Sequence, residues 1–180
     1  LWQAFTEAVE QNAVGGKPLK AVVSAADEIT VVVSDLTRFW MRQDKICPLL
    51  LRYLHENAGV PYENIVFVVA LGTHREQTEE ELIRLVGAET YARVRVLNHR
   101  IDGPLTDVGV TSRGTRVLVN PLVVGRKVIV VSGTVHHLLA GYGGGRKSIV
   151  PGVAGETTIR QNHRRALHPT EARSSDDVGC

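Results

Sequence analysis

The chain has 180 residues, 43% of them hydrophobic and 22% charged, with a net charge of +2. That length supports one domain with a real core; the charge is too small to argue for nucleic acid, and no apolar run reaches membrane-spanning length. Two distant cysteines, Cys47 and Cys180, make no disulfide framework, and no signal peptide opens the chain, so the expected setting is cytoplasmic, with neither nucleic acid nor membrane as partner.

In chain order, residues 1–11 carry a narrow apolar stripe (Trp2, Phe5, Val9) and predict a helix, followed by a turn at GGKP (15–18). EITVVV (28–33) is a strong strand that runs into the loop SDLTR (34–38). Ile46, Leu49, Leu50, Tyr53 and Leu54 recur at helical spacing, and Gly59 stops that helix. NIVFVVAL (64–71) is a second buried strand leading into GTHR (72–75). Thr78 and Glu81 form a capping box at the start of the next helix. RVRVLNH (93–99) alternates and predicts a more exposed strand, and residues 102–120 predict a β-excursion with turns. VIVVSG (128–133) reads as a further buried strand, followed by a glycine-rich loop and a helix over about 156–167.

Strands separated by helices predict an α/β fold: a parallel or mixed central sheet with helices on both faces, Rossmann-like. In a parallel sheet the strand ends share one edge. Three polar clusters would then converge there: Asp35/Thr37/Arg38, Thr73/His74/Arg75 and His136/His137. The chain opens without Met in a helical pattern and closes in the polar EARSSDDVGC (171–180), which reads as one domain of a longer protein.

The stretch 131–163 concentrates chemistry. GYGGGRKS (141–148) invites comparison with a phosphate-binding P-loop, but Arg146 stands where that loop needs glycine before the lysine. Glycines here let backbone approach a flat or phosphorylated ligand closely. His74 alone would be a capping or surface histidine; beside His136 and His137 it gains weight as an acid/base group. Of that pair, one side chain is expected to face inward. His163 shares a helix face with Ile159 and Leu167, which suits either a core histidine or the single protein ligand of a metal bound mainly by an organic cofactor. With no HExxH or CxxC, a zinc site built from protein ligands alone has little support. Arg38 beside Asp35 could clamp a carboxylate, or form a surface ion pair. His55, His99 and His168 read as solvent-facing or locally hydrogen-bonded.

Taken together, SDLTR (34–38), GTHREQTEEEL (72–82), DGPLTDVGVTSRGT (102–115), HHLLAGYGGGRKSIVPGVAG (136–155) and TIRQNHRRALHP (158–169) resemble the N-terminal domain of the lactate racemase family, in the same order over roughly residues 30–170. The resemblance implies the N-terminal domain of a two-domain enzyme. Residues 1–180 would form a single α/β domain carrying the cofactor-attachment loop, with the family's C-terminal domain absent from this chain. It implies a nickel-pincer nucleotide, a pyridinium-3,5-bisthiocarboxylic acid mononucleotide, covalently attached to Lys147. His163 would complete the square-planar nickel centre. His74 and His137 would be the two acid/base histidines, Arg38 would hold the substrate carboxylate, and Asp35 would support the cofactor and substrate groups. The substrate would be a small-molecule 2-hydroxy acid, inverted by proton-coupled hydride transfer in a racemase or, for a larger hydroxy acid, an epimerase, and cofactor-synthesis enzymes would be transient partners. The sequence departs from the family pattern in the unbroken glycines of GYGGGRK and in Phe39, which follows SDLTR where proline is usual. The other readings are a truncated or non-catalytic apo domain and a phosphate-ligand-binding transferase domain.

Overall fold

The computed structural model of the chain describes residues 1–13, 15–137 and 140–167. Its centre is a four-stranded, wholly parallel sheet built from β1 (Ile29–Ser34), β2 (Ile65–Ala70), β3 (Arg95–Asn98) and a later strand, Lys127–Val131, in the order β3-β2-β1-(127–131). β1 pairs with β2 from Ile29↔Ile65 to Ser34↔Ala70 and with the later strand from Ile29↔Lys127 to Val33↔Val131. Both faces of β1 and β2 are covered, which is why they read as unbroken β-branched runs rather than alternating ones.

Helices lie on both faces, of unequal size. α1 (Trp2–Glu10) packs loosely, contributing Phe5 to the margin of the core. On the same face α2 (Gln43–Glu56), α3 (Glu79–Val86) and α4 (Ala88–Arg93) close the main core around Ile29, Val31, Val33, Phe67 and Val69, all of them buried. On the other face Val32 and Val68 meet Val153, Leu122 and Ile149, carried by short 3-10 turns and a loop rather than a long helix. Among the described residues no helix is long and apolar enough to cross a membrane.

Local signals in the sequence act as expected at several points. Thr78 Oγ1 accepts from Glu81 N–H, and Glu81 accepts from Thr78 N–H at 2.9 Å, so the capping box starts α3. Residues 102–120 form a hairpin, β4 (Thr106–Val110) with β5 (Arg116–Val119). β6 (Lys127–Val131) is where expectation and structure part. The sequence reads it as buried, but it lies at the edge of the sheet and its residues are half-buried or exposed, with Ser132 and Gly133 already outside the strand. An apolar run has the same period at the centre of a sheet and at its margin, so the pattern does not fix strand order.

β7 (Val135–His137) and β8 (Gly141–Gly143) form a small hairpin beyond β6, and α5 (Glu156–His163) continues as a 3-10 turn to Leu167. His99 is a second correction. It is neither solvent-facing nor local: it is 2% exposed, with Nε2 3.0 Å from the Ala154 carbonyl and Nδ1 3.3 Å from the Asn120 amide nitrogen. It ties the end of β3 to the loop before α5. His55 keeps the local role read for it, bonding Val60 O at 3.0 Å and stacking on Tyr62. His168 and the Leu167 side chain lie outside the described residues.

Candidate active site

The chain runs outward from β1 to β2 to β3, then returns to place β6 on the other side of β1. Such a reversal opens a crevice at the carboxyl ends of the strands. Here it holds a cleft of about 280 Å³ lined by Asp35, Arg38, His74, His137, Lys147 and His163, among others. They come from five places: Asp35 and Arg38 from the segment after β1, His74 from the loop after β2, His137 from β7, Lys147 from the 3-10 turn Gly145–Ser148, and His163 from the last residue of α5. The structure therefore brings all six sequence-selected residues to one cavity.

His74 and Asp35 form the best-defined pair. His74 Nδ1 lies 2.6 Å from Asp35 Oδ2. A carboxylate only accepts, so Nδ1 carries the proton and the neutral ring keeps its lone pair on Nε2. Asp35 is 4% exposed while half of the His74 side chain is open to solvent. A buried acid thus orients an accessible imidazole. The loop carrying His74 is fixed from both sides: Gly72 N–H bonds Gly152 O at 2.8 Å, and His74 N–H bonds Leu71 O at 2.8 Å. Arg75 does not share the cleft. It turns away to grip Glu81 through two bonds of 2.7 and 2.6 Å, which holds the Glu81 carboxyl down to about 2.

His137 is set up differently. Its Nδ1 accepts the Ala140 N–H at 3.2 Å, so the neutral ring carries its proton on Nε2. Partial burial lowers its pKa first, and the positive charges of Lys147, Arg38 and His163 lower it further. The neighbouring His136 is exposed, tilts against the Tyr142 ring at 5.2 Å, and borders the same cleft.

His163 donates from Nδ1 to the Ile159 carbonyl at 2.8 Å, which puts its lone pair on Nε2. Lys147 sits in a short turn fastened through its backbone: Lys147 N–H bonds Gly144 O at 3.1 Å, and Gly152 N–H bonds Lys147 O at 2.9 Å. Gly145 N–H donates to Ser132 Oγ at 2.8 Å, pinning the glycine loop to the end of β6. Gly144 has φ +80°, and a Cβ there would run into the Gly133 carbonyl, so this crossing requires glycine. Sequence reasoning placed Thr37 in a polar cluster without a role. Its hydroxyl lies 2.7 Å from Asp35 Oδ1, and its adjacency to both selected residues was the signal available. Gly144 and Ser148 belong to the glycine-rich stretch singled out in the sequence, whereas Ser132, which holds that stretch through Gly145 N–H, carries no chemical mark of its own.

The parallel α/β domain thus gathers His74 on its buried carboxylate, the differently tethered His137, an arginine and a lysine around one crevice. Comparison with known proteins gives its family. A family model described as the lactate racemase N-terminal domain matches residues 3–175, and the chain belongs to that family. It is 31% identical over 164 residues to the lactate racemase of Lactiplantibacillus plantarum, covering 89% of this chain and 38% of that protein. To the lactate racemase of Thermoanaerobacterium thermosaccharolyticum it is 29% identical, covering 85% and 36%. The structure of the lactate racemase apoprotein from the same organism shares the fold, with a TM-score of 0.84 at 24% identity over 95% of this chain and 42% of that one. A crystal structure of a Thermotoga maritima protein matches with a TM-score of 0.71 at 25% identity, with the same coverage. The chain thus spans about two fifths of the relatives it matches.

Proposed function

We propose that this chain is the cofactor-attachment domain of a lactate-racemase-like enzyme that inverts a small 2-hydroxy acid, acting in the cytoplasm with a second domain over the cleft and cofactor-synthesis enzymes as transient partners. The observation that carries this reading is the single cleft shared by Asp35, Arg38, His74, His137, Lys147 and His163.

The residues fit a nickel-pincer nucleotide. Among the described residues no group of three or more His, Cys, Asp or Glu side chains stands ready to hold a metal ion. A metal here would take most of its ligands from an organic group and one from the protein, and His163 offers one nitrogen with its tautomer fixed by a backbone carbonyl. Lys147 offers an amine for attachment on the same wall. When bound, the nucleotide supplies the hydride acceptor and donor.

The rest falls to the protein. Arg38 pairs with the substrate carboxylate and fixes the orientation of C2. His74 Nε2 takes the hydroxyl proton, and Asp35 stabilises the imidazolium that forms, as the 2.6 Å bond requires. His137 serves the opposite enantiomer. It acts as a base at Nε2 only in the tautomer protonated at Nδ1, so the 3.2 Å contact with Ala140 N–H must open in that direction. The two histidines are therefore not equivalent, although racemisation needs both.

The test is to produce the protein alongside the cofactor's synthesis enzymes and to measure intact mass, nickel content and interconversion of 2-hydroxy-acid enantiomers. Added mass on Lys147 with nickel and two-way interconversion is the expected result. His74→Ala and His137→Ala should each lower turnover roughly a hundredfold or more while nickel stays bound. An unmodified chain with no interconversion sinks the proposal. The transferase alternative is disfavoured by the glycine loop itself: the N–H groups of Gly145, Lys147 and Ile149 are taken by Ser132 Oγ, Gly144 O and Arg146 O rather than pointed at a phosphate.

A further inference from the structure

Four side chains form one hydrogen-bonded row, in which Thr37 links three residues that line the cleft. Arg38 Nη1 donates to Thr37 Oγ1 at 3.1 Å, Thr37 Oγ1 donates to Asp35 Oδ1 at 2.7 Å, and His74 Nδ1 donates to Asp35 Oδ2 at 2.6 Å. We propose that Thr37 is a positioning residue that couples the carboxylate-binding guanidinium of Arg38 to the Asp35–His74 base. The kinetic part of this rests on the function proposed above; the geometric part does not.

The direction of each bond is forced. The guanidinium only donates and the carboxylate only accepts, so the one hydroxyl proton goes to Asp35 and the hydroxyl lone pair takes the arginine N–H. Both Asp35 oxygens are then committed, one to Thr37 and one to His74. Asp35 is 4% exposed, so water does not readily replace a lost donor. The backbone closes the same turn, with Arg38 N–H on Asp35 O at 3.0 Å. Arg38 itself sits at φ −110°, ψ 17°, a kink inside the 3-10 run Leu36–Met41. Bonded on both sides, the Thr37 hydroxyl acts as a spacer between the two charged heads. Removing it frees the carboxylate to rotate about its remaining bond to His74, and the imidazole loses its single tautomer.

Two readouts test this. In this chain, long-range ¹H–¹⁵N spectra report the His74 tautomer, with His74→Gln assigning the signals and the backbone amide spectrum checking the fold. Wild type and Thr37→Ser should show the Nδ1–H form alone, while Thr37→Val should show mixed tautomers. A Thr37→Val ring spectrum identical to wild type overturns the proposal. In the cofactor-loaded enzyme, Thr37→Val should lower kcat and raise KM by about tenfold each, with the pH profile displaced, and Thr37→Ser should restore all three. Unchanged kcat, KM and pH profile in Thr37→Val, or failure of serine to rescue, also overturns it. If wild type itself does not interconvert enantiomers, the function proposal fails, while the ring spectra still decide the role of Thr37.

Discussion

His163 Nδ1 stands 2.8 Å from the carbonyl oxygen of Ile159, one turn earlier in α5. That bond sets the tautomer and the ring orientation together, as second partners of ligating histidines do. The prediction is that His163→Ala, in protein made with the cofactor's synthesis enzymes, loses at least about tenfold in retained nickel, by analogy with the loss of orienting and ligating groups. Alanine suits a helix end, so the amide spectrum should stay folded. Elemental analysis decides it: unchanged nickel per chain removes His163 from the ligand role.

His137 should titrate below the ordinary histidine value of 6.5, since burial and the charges of Lys147, Arg38 and His163 all oppose its protonation. Its folded pKa is depressed, so the ring stays neutral to lower pH than a free imidazole. Lys147→Gln removes the largest of the charges and should move the midpoint up, toward 6.5. Titration of the ring by NMR in the chain without cofactor measures both. A wild-type midpoint at or above 6.5, or a downward move in Lys147→Gln, contradicts the electrostatic account.

Much of this arrangement is legible in the sequence, for identifiable reasons. β1 and β2 announce themselves because strands buried on both faces need unbroken runs of Val and Ile, and the capping box of Thr78 and Glu81 is a purely local device. Asp35, Arg38 and His74 follow the ends of β1 and β2, which the α/β pattern puts on one edge, while His137, Lys147 and His163 reach the same cleft from β7, a 3-10 turn and the end of α5. Long-range partners leave no such mark. Nothing near His99 says that its acceptor is Ala154, 55 residues away, or that Arg75 will leave the cleft for Glu81. The edge position of β6 is equally silent, because strand order is a property of the whole sheet.

Gly144→Ala should disturb the Lys147 turn more than the fold. The added methyl meets the Gly133 carbonyl and lies 3.2 Å from Ser132 Oγ, at a backbone φ of +80° that strains any L side chain. The bond from Gly145 N–H to Ser132 Oγ is the contact expected to break. Amide shifts should change at Ser132, Gly145 and Lys147 and stay put in β1 and β2, and cofactor attachment at Lys147 should fall. Attachment at the wild-type level, with unchanged shifts in the loop, speaks against a fixed crossing.

His99 predicts how stability depends on pH. It is 2% exposed, and desolvation lowers its pKa despite the opposing bond to Ala154 O. The folded state keeps the ring neutral, while the unfolded chain takes up a proton near 6.5. Between the folded and unfolded pKa values the unfolded state binds more protons, so stability is full above about 6.5 and declines as pH falls below it. His137 acts in the same sense but is more exposed, so its share is smaller. Urea midpoints should therefore be lower at pH 5.5 than at pH 7.5. His99→Gln should lose about 1–3 kcal/mol at pH 7.5 through poorer pairing with Ala154 O and Asn120, and should flatten the fall toward acid. His137→Gln should leave most of the fall in place. An acid decline of equal slope in His99→Gln means that other groups govern it, and the buried imidazole is then only a structural tie.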